Sequence, residues 1–134
     1  MVPLQTNTTT PPRIHCFIVI CKDPRTDDSS LEGLRCATGL ASDHRWRVSV
    51  GFCESSLGFV REDVPDAQAA VIHPNPILKQ WIETGPVIYC LESDLKASES
   101  LKTFTGLKYQ MLSPSEWLEL GMKQHHILMF GGNF

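Results

Sequence analysis

The residues from Ile14 to Cys21 read IHCFIVIC, an apolar, partly β-branched run without a carboxylate, lysine or arginine. A strand with one wet face alternates polar and apolar residues. This run does not alternate, which places it inside a parallel sheet with both faces covered. Parallel neighbours cannot be joined by tight hairpins, so each return to the sheet needs a crossover, usually a helix. The rest of the chain is therefore expected to alternate strands with helices.

It does so in order. Lys22-Asp23-Pro24 ends the first run, and Asp27, Asp28, Ser29 and Ser30 offer capping side chains to a helix with Leu31, Leu34, Thr38 and Ala41 on one face. Arg47 to Cys53 is a second short strand in which Val48, Val50 and Phe52 alternate, and Trp46 is placed to seal the bottom of the sheet. Residues 54–70 read as a loop with at most a short helical turn. Asn75 as cap and Pro76 in the first turn open a helix with Ile77, Leu78, Trp81 and Ile82 as its buried stripe, closed by Gly85-Pro86. Val87 to Leu91 is a third strand, with Ser93 as cap for a short helix reaching about Ser100. Leu107 to Leu112 gives a fourth strand. Ser113-Pro114-Ser115-Glu116 then has the form of a capping box, and Ile127 to Phe130 is the fifth strand.

This alternation predicts an α/β fold, a single five-stranded, mainly parallel sheet with helices on both faces and right-handed crossovers. One domain is expected over residues 13–134, preceded by a flexible Thr- and Pro-rich tail over residues 1–12. A flavodoxin-like strand order, 2-1-3-4-5, makes the first three strands neighbours. In such sheets the functional crevice lies beyond the carboxyl ends of the strands.

Charge and motifs remove several function classes. The net charge is only -3 and no basic run occurs, which argues against direct nucleic-acid binding. The longest apolar runs, Phe17 to Cys21 and Ile127 to Phe130, are too short to span a bilayer. Met1 to Pro12 does not read as a secretory signal, so a cytoplasmic setting with reduced thiols is expected. There is no dinucleotide fingerprint, no phosphate-binding loop and no nucleophile elbow. His125-His126 reads as an exposed corner, because adjacent residues of an extended segment point to opposite sides.

Five cysteines remain, none in a C-x-x-C or other close metal-ligand spacing. Zinc would need cysteines that converge from distant segments. Cys16 and Cys36 are expected in the core, whereas Cys21, Cys53 and Cys90 fall at or near the carboxyl ends of the first three strands. Cys90 is the sharpest candidate: it ends a strand ahead of a helix start whose N–H groups would favour a thiolate, opposed by Glu92 and Asp94. A moderately depressed pKa is the expectation.

From Ile14 to Phe130 the chain resembles the DsrE/DsrF/DsrH family of sulfur-relay subunits (TusBCD), and the DsrF/TusC branch most of all. The likeness rests on the apolar first strand, Asp23-Pro24, Glu32-Gly33-Leu34, Phe52-Cys53-Glu54, and Val87-Ile88-Tyr89-Cys90-Leu91-Glu92-Ser93-Asp94-Leu95, followed by a strand, a capped helix and a short last strand ending in an aromatic residue. The resemblance implies a sulfur carrier or sulfurtransferase that holds sulfane sulfur as a cysteine persulfide and passes it to a partner protein, without metal or organic cofactor. By position the carrier is Cys90, with Cys53 as a second candidate. It also implies donor and acceptor proteins and a homo- or hetero-oligomer of DsrE-like subunits, with Leu57, Phe59 and Val60 as expected interface residues. A second reading is a non-catalytic scaffold or regulatory subunit of such a complex, and a third, minor one is a small-ligand-binding α/β module using the same crevice.

Overall fold

In the computed structural model, which describes residues 13–60, 75–95 and 107–132, the charge-free run forms β1 (Ile14–Ile20), with Cys16 to Ile20 all buried. β1 pairs in parallel with β2 (Trp46–Phe52) on one side and β5 (His126–Phe130) on the other. β2 continues to β3 (Val87–Leu91), and β3 to β4 (Gln110–Leu112), again in parallel. The sheet is thus five-stranded and all-parallel, in the order β4-β3-β2-β1-β5. This corrects the flavodoxin-like order 2-1-3-4-5: the chain does not reverse after β2 but steps the same way three times, and β2 is the middle of the first three strands.

Handedness then places the helices. Right-handed crossovers put the helices after β1 and β2 on one face, and the return from β4 to β5 goes to the other. On the first face lies α1 (Asp28–Ala41), capped by Asp27, whose carboxylate accepts the Ser30 N–H at 2.8 Å. Its Leu31, Leu34 and Ala37 are buried. Gly33 lets it lie close, since a Cβ there would fall 2.5 Å from Ile20 Cδ1 and 2.8 Å from the Phe130 ring. A 3-10 turn (Glu54–Ser56) leads into α2 (Leu57–Val60), a single turn. α3 (Asn75–Glu83) buries Leu78 and Trp81, whose indole N–H donates to Thr38 Oγ1 of α1 at 3.0 Å. Ile82, expected in the same stripe, is exposed, because one residue past Trp81 turns it about 100° around the helix.

On the other face α4 (Pro114–Met122) starts with the expected reciprocal cap: Glu116 N–H donates to Ser113 Oγ at 3.2 Å, and Ser113 N–H to Glu116 Oε1 at 2.8 Å. After β3, by contrast, there is only a 3-10 turn, Glu92–Asp94, without a side-chain cap, in place of the helix expected from Ser93; its continuation to Ser100 lies outside the described residues. So does the expected tail, residues 1–12.

The two faces are filled unequally. Ile18, Ile20, Val50, Phe52, Ile88 and Cys90 form the larger core with α1, α2 and α3, whereas Phe17, Val19, Cys21 and Cys53 form a smaller one with Trp117 and Leu120 of α4. A single helix is about 10 Å across with its side chains. The sheet beneath α4, from β4 to β5, is about 19 Å wide at ~4.8 Å per strand. Leu118, Met122, Ile127 and Met129 are accordingly left exposed along an apolar groove between α4 and β5. Leu57, Phe59 and Val60, expected at an interface, are instead buried in the larger core. No helix among the described residues is long and apolar enough to cross a membrane.

Gly51 sets how closely α4 approaches. A Cβ at this position would sit 2.4 Å from Trp117 Cη2 and 2.7 Å from the Phe17 ring, and those two rings pack edge to face with centroids 5.2 Å apart. Gly51→Ala is expected to destabilise the protein by about 1–3 kcal/mol through overpacking. Urea unfolding with near-ultraviolet circular dichroism checks this; unchanged stability with an unchanged tryptophan signal would show that α4 does not rest on this glycine.

Candidate functional site

Register decides which cysteines meet. Ile20, Phe52, Cys90 and Met111 lie side by side across β1, β2, β3 and β4. Side chains alternate faces along a strand. One residue farther along β1 and β2, Cys21 and Cys53 therefore project to the opposite face from Cys90. Their Sγ atoms are 3.7 Å apart, and the Cys53 S–H has two acceptors in reach, Cys21 Sγ and, at 3.6 Å, Ile20 O. Cys90 is fully buried in the larger core, away from both.

The backbone holds the pair at the carboxyl edge. Cys21 N–H donates to Phe130 O at 2.9 Å, and Cys53 N–H to Ile20 O at 3.2 Å, so each cysteine sits just beyond the end of its strand. Ser56 locks the turn behind Cys53: its Oγ accepts the Cys53 N–H at 2.9 Å and lies 2.6 Å from Ile20 O and 2.7 Å from Cys53 O. Glu54, between them, has φ 53°, the left-handed region that a non-glycine residue enters at a cost. Its N–H donates to Asp94 Oδ2 at 2.7 Å, which ties the turn after β2 to the turn after β3. On the other side Arg25 pairs with Asp23 at 2.6 Å and donates to Gly58 O at 3.3 Å, joining the loop after β1 to α2. The Glu54 carboxylate completes a cluster in which a carboxylate oxygen and the two sulfurs all lie within 4.8 Å of one another.

The electrostatics favour protonated thiols. Burial raises the pKa of Cys21; the S–H of Cys53 acts the other way, and Glu54 and Asp94 raise it further. Cys53 is pushed up strongly, first by burial, then by Cys21, Glu54 and Asp94. Both thiols of the pair are thus held protonated. Burial alone pushes Cys90 up to about 12. This reverses the moderate depression expected for Cys90. The turn after β3 directs nothing at its sulfur, and Asp94 serves Glu54. Cys16 and Cys36 are also raised by burial; Cys16 is in the core as expected and Cys36 lies at its margin.

The sequence reading grouped Cys21 with Cys53 and Cys90 at one edge but did not separate them by face. The signal was available: Cys21 and Cys53 each follow the last core residue of a strand, Ile20 and Phe52, whereas Cys90 is itself that core residue and Leu91 takes the next place. The His125-His126 corner carries no paired site: His15 N–H donates to His125 Nδ1 at 2.8 Å, while the His126 ring lies against Trp46 with centroids 6.0 Å apart.

No family model matches the chain, and no curated protein matches it. Among solved structures, the ychN protein from E. coli matches with a TM-score of 0.63 at 14% identity, over 87% of this chain and 99% of that one. The chain therefore shares the α/β fold of that protein, and the likeness extends to the fold alone.

The buried thiols make stability depend on alkaline pH. A thiol whose folded pKa lies above its unfolded value of 9.0 stabilises fully below pH 9, and that contribution is lost as pH rises toward the folded value. For Cys90 the loss approaches about 1 kcal/mol per pH unit between pH 9 and about 12. Cys90→Ala is expected to remove that component, so its unfolding free energy falls less steeply from pH 9 to 10.5 than that of the unaltered chain. Parallel slopes in denaturant titrations would place Cys90 in water.

Proposed function

We propose that the protein carries sulfane sulfur as a cysteine persulfide and passes it to a partner protein, in a cytoplasmic sulfur relay, and that the sulfur is held by the Cys21–Cys53 pair. The observation that carries this reading is the 3.7 Å contact between two thiols at the carboxyl edge of a DsrE-like sheet. Position alone favours Cys90, the carrier implied by resemblance. Geometry favours the pair, because a thiolate on Cys21 keeps a hydrogen-bond donor in Cys53, whereas burial alone acts on Cys90.

The chemistry balances without an added oxidant. The Cys21 thiolate attacks the terminal sulfur of a donor persulfide; the S–S bond of the donor breaks, its thiolate leaves, and the new Cys21 persulfide holds the sulfane sulfur. An acceptor thiolate then repeats the attack on the terminal sulfur and restores Cys21. The Cys53 S–H stabilises the anion on Cys21 before and after each transfer. No cofactor takes part.

A second reading is favoured by one observation: Cys21 and Cys53 are only 2% and 6% exposed, and buried thiols are inert. In that reading the protein is a scaffold or regulatory subunit whose partners carry the sulfur. Incubation with a persulfide donor followed by intact-mass and peptide mapping separates the two. One added sulfur on Cys21 or Cys53 is expected, abolished in Cys21→Ser, reduced at least tenfold in Cys53→Ala and unchanged in Cys90→Ser. Label on Cys90 would return the carrier role to the third strand. No label, even with DsrE-like partner subunits present, would leave the scaffold.

Assembly is proposed to use the α4–β5 side. β5 is an edge strand, and Leu118, Met122, Ile127 and Met129 beside it are exposed and apolar. Such an edge pairs readily with another, and two copies meeting about a two-fold axis would cover both patches at once. Light scattering of the full chain is expected to find an oligomer, and Leu118→Glu with Met122→Glu to give a folded monomer of 15.0 kDa. A monomer before substitution would place the contact with a different subunit or nowhere.

A further inference from the structure

We infer that Cys21, Cys53 and Glu54 form a binding site for a zinc ion. The three ligand atoms come from two strand ends held in register by backbone hydrogen bonds, and all lie within 4.8 Å of one another. Two sulfurs bound to one tetrahedral zinc at ~2.3 Å each stand about 3.8 Å apart. The sulfurs here stand 3.7 Å apart, so the dithiol closes on the ion without moving its strands.

The third ligand is also held in place. Glu54 adopts its positive φ in a turn fixed by Ser56 on one side and by the Asp94 carboxylate on the Glu54 N–H on the other. Glu54 is exposed while both sulfurs are buried, so the site opens toward solvent on the carboxylate side. The donor set selects the ion: two thiolates suit a soft or borderline metal, and the added carboxylate fits zinc better than copper(I), while magnesium and calcium prefer oxygen throughout.

Binding is an exchange without electron transfer. Two S–H bonds break, two Zn–S bonds form, two protons leave to solvent, and no atom changes oxidation state. The carboxylates of Glu54 and Asp94, which oppose thiolate formation in the metal-free site, attract the cation instead. Zinc and sulfane sulfur then compete for the same sulfurs, so zinc occupancy would hold the thiols closed to a persulfide donor.

The reduced full chain would be titrated with zinc against a chromogenic chelator, and separately with cobalt(II) in the absence of oxygen. One equivalent of zinc and a sulfur-to-cobalt charge-transfer band are expected in the unaltered protein. Cys53→Ser should lose the band and weaken zinc binding by more than about 100-fold, beyond the loss typical of an outer-shell partner. Glu54→Gln should keep the band with weaker binding, and Cys90→Ser should match the unaltered chain. No retained zinc in the unaltered protein, or retention and a cobalt band that persist in Cys53→Ser, would overturn the site. Persulfide loading of the metal-free protein is read separately: loading without zinc binding removes only the metal site, and zinc binding without loading removes only the relay.

Discussion

Everything in this molecule hangs from the burial of β1 on both faces. Cys16 to Ile20 are buried, so their backbone must be paired on both edges, and β2 and β5 supply those partners in parallel. Alternation along the strand then divides its side chains: Cys16, Ile18 and Ile20 go to the core under α1, Phe17, Val19 and Cys21 to the core under α4. The thiol pair follows from this division. Cys21 inherits its face from Phe17 and Val19, and Cys53 meets it because β2 runs in register with β1 and reaches one residue past Phe52 at the same level.

Much of this was legible in the sequence, and the exceptions share a cause. The capping signals at Asp27 and Ser113 work locally, within three residues, and each gave its helix start correctly. Strand identity was also local, carried by apolar runs between turn residues. Strand order was not local: Ile14 to Cys21 has the same composition whether its second neighbour is β3 or β5. Surface and core were confused where a residue's fate depends on a distant partner. Leu57, Phe59 and Val60 follow an irregular turn and look stranded, yet the turn folds them under the sheet beside Phe52 and Trp81. Ile127 and Met129 look like core, yet nothing among the described residues covers them.

That last failure has a structural origin in the topology. The connections after β1 and β2 put α1 and α3 on one face, and the return is left to a single helix narrower than the sheet it covers. Gly51 compensates in part by letting Trp117 settle onto the sheet, so α4 seals its own half of the face firmly. The half beside β5 stays apolar and open, next to a strand edge that is unpaired among the described residues. Two incomplete surfaces that adjoin each other favour a partner able to complete both.

At the thiol site, burial and acidity work in the same direction and make the resting pair neutral. A neutral, sheltered dithiol resists chance oxidation, because the thiolate is the species that reacts. It also needs an event that removes a proton before it can act. In the proposed relay that event is the transfer itself, which takes the proton of Cys21; in the proposed metal site zinc would displace both. The two proposals share the two sulfurs and differ in proton demand, and the Asp94 carboxylate on the Glu54 N–H fixes the turn behind them.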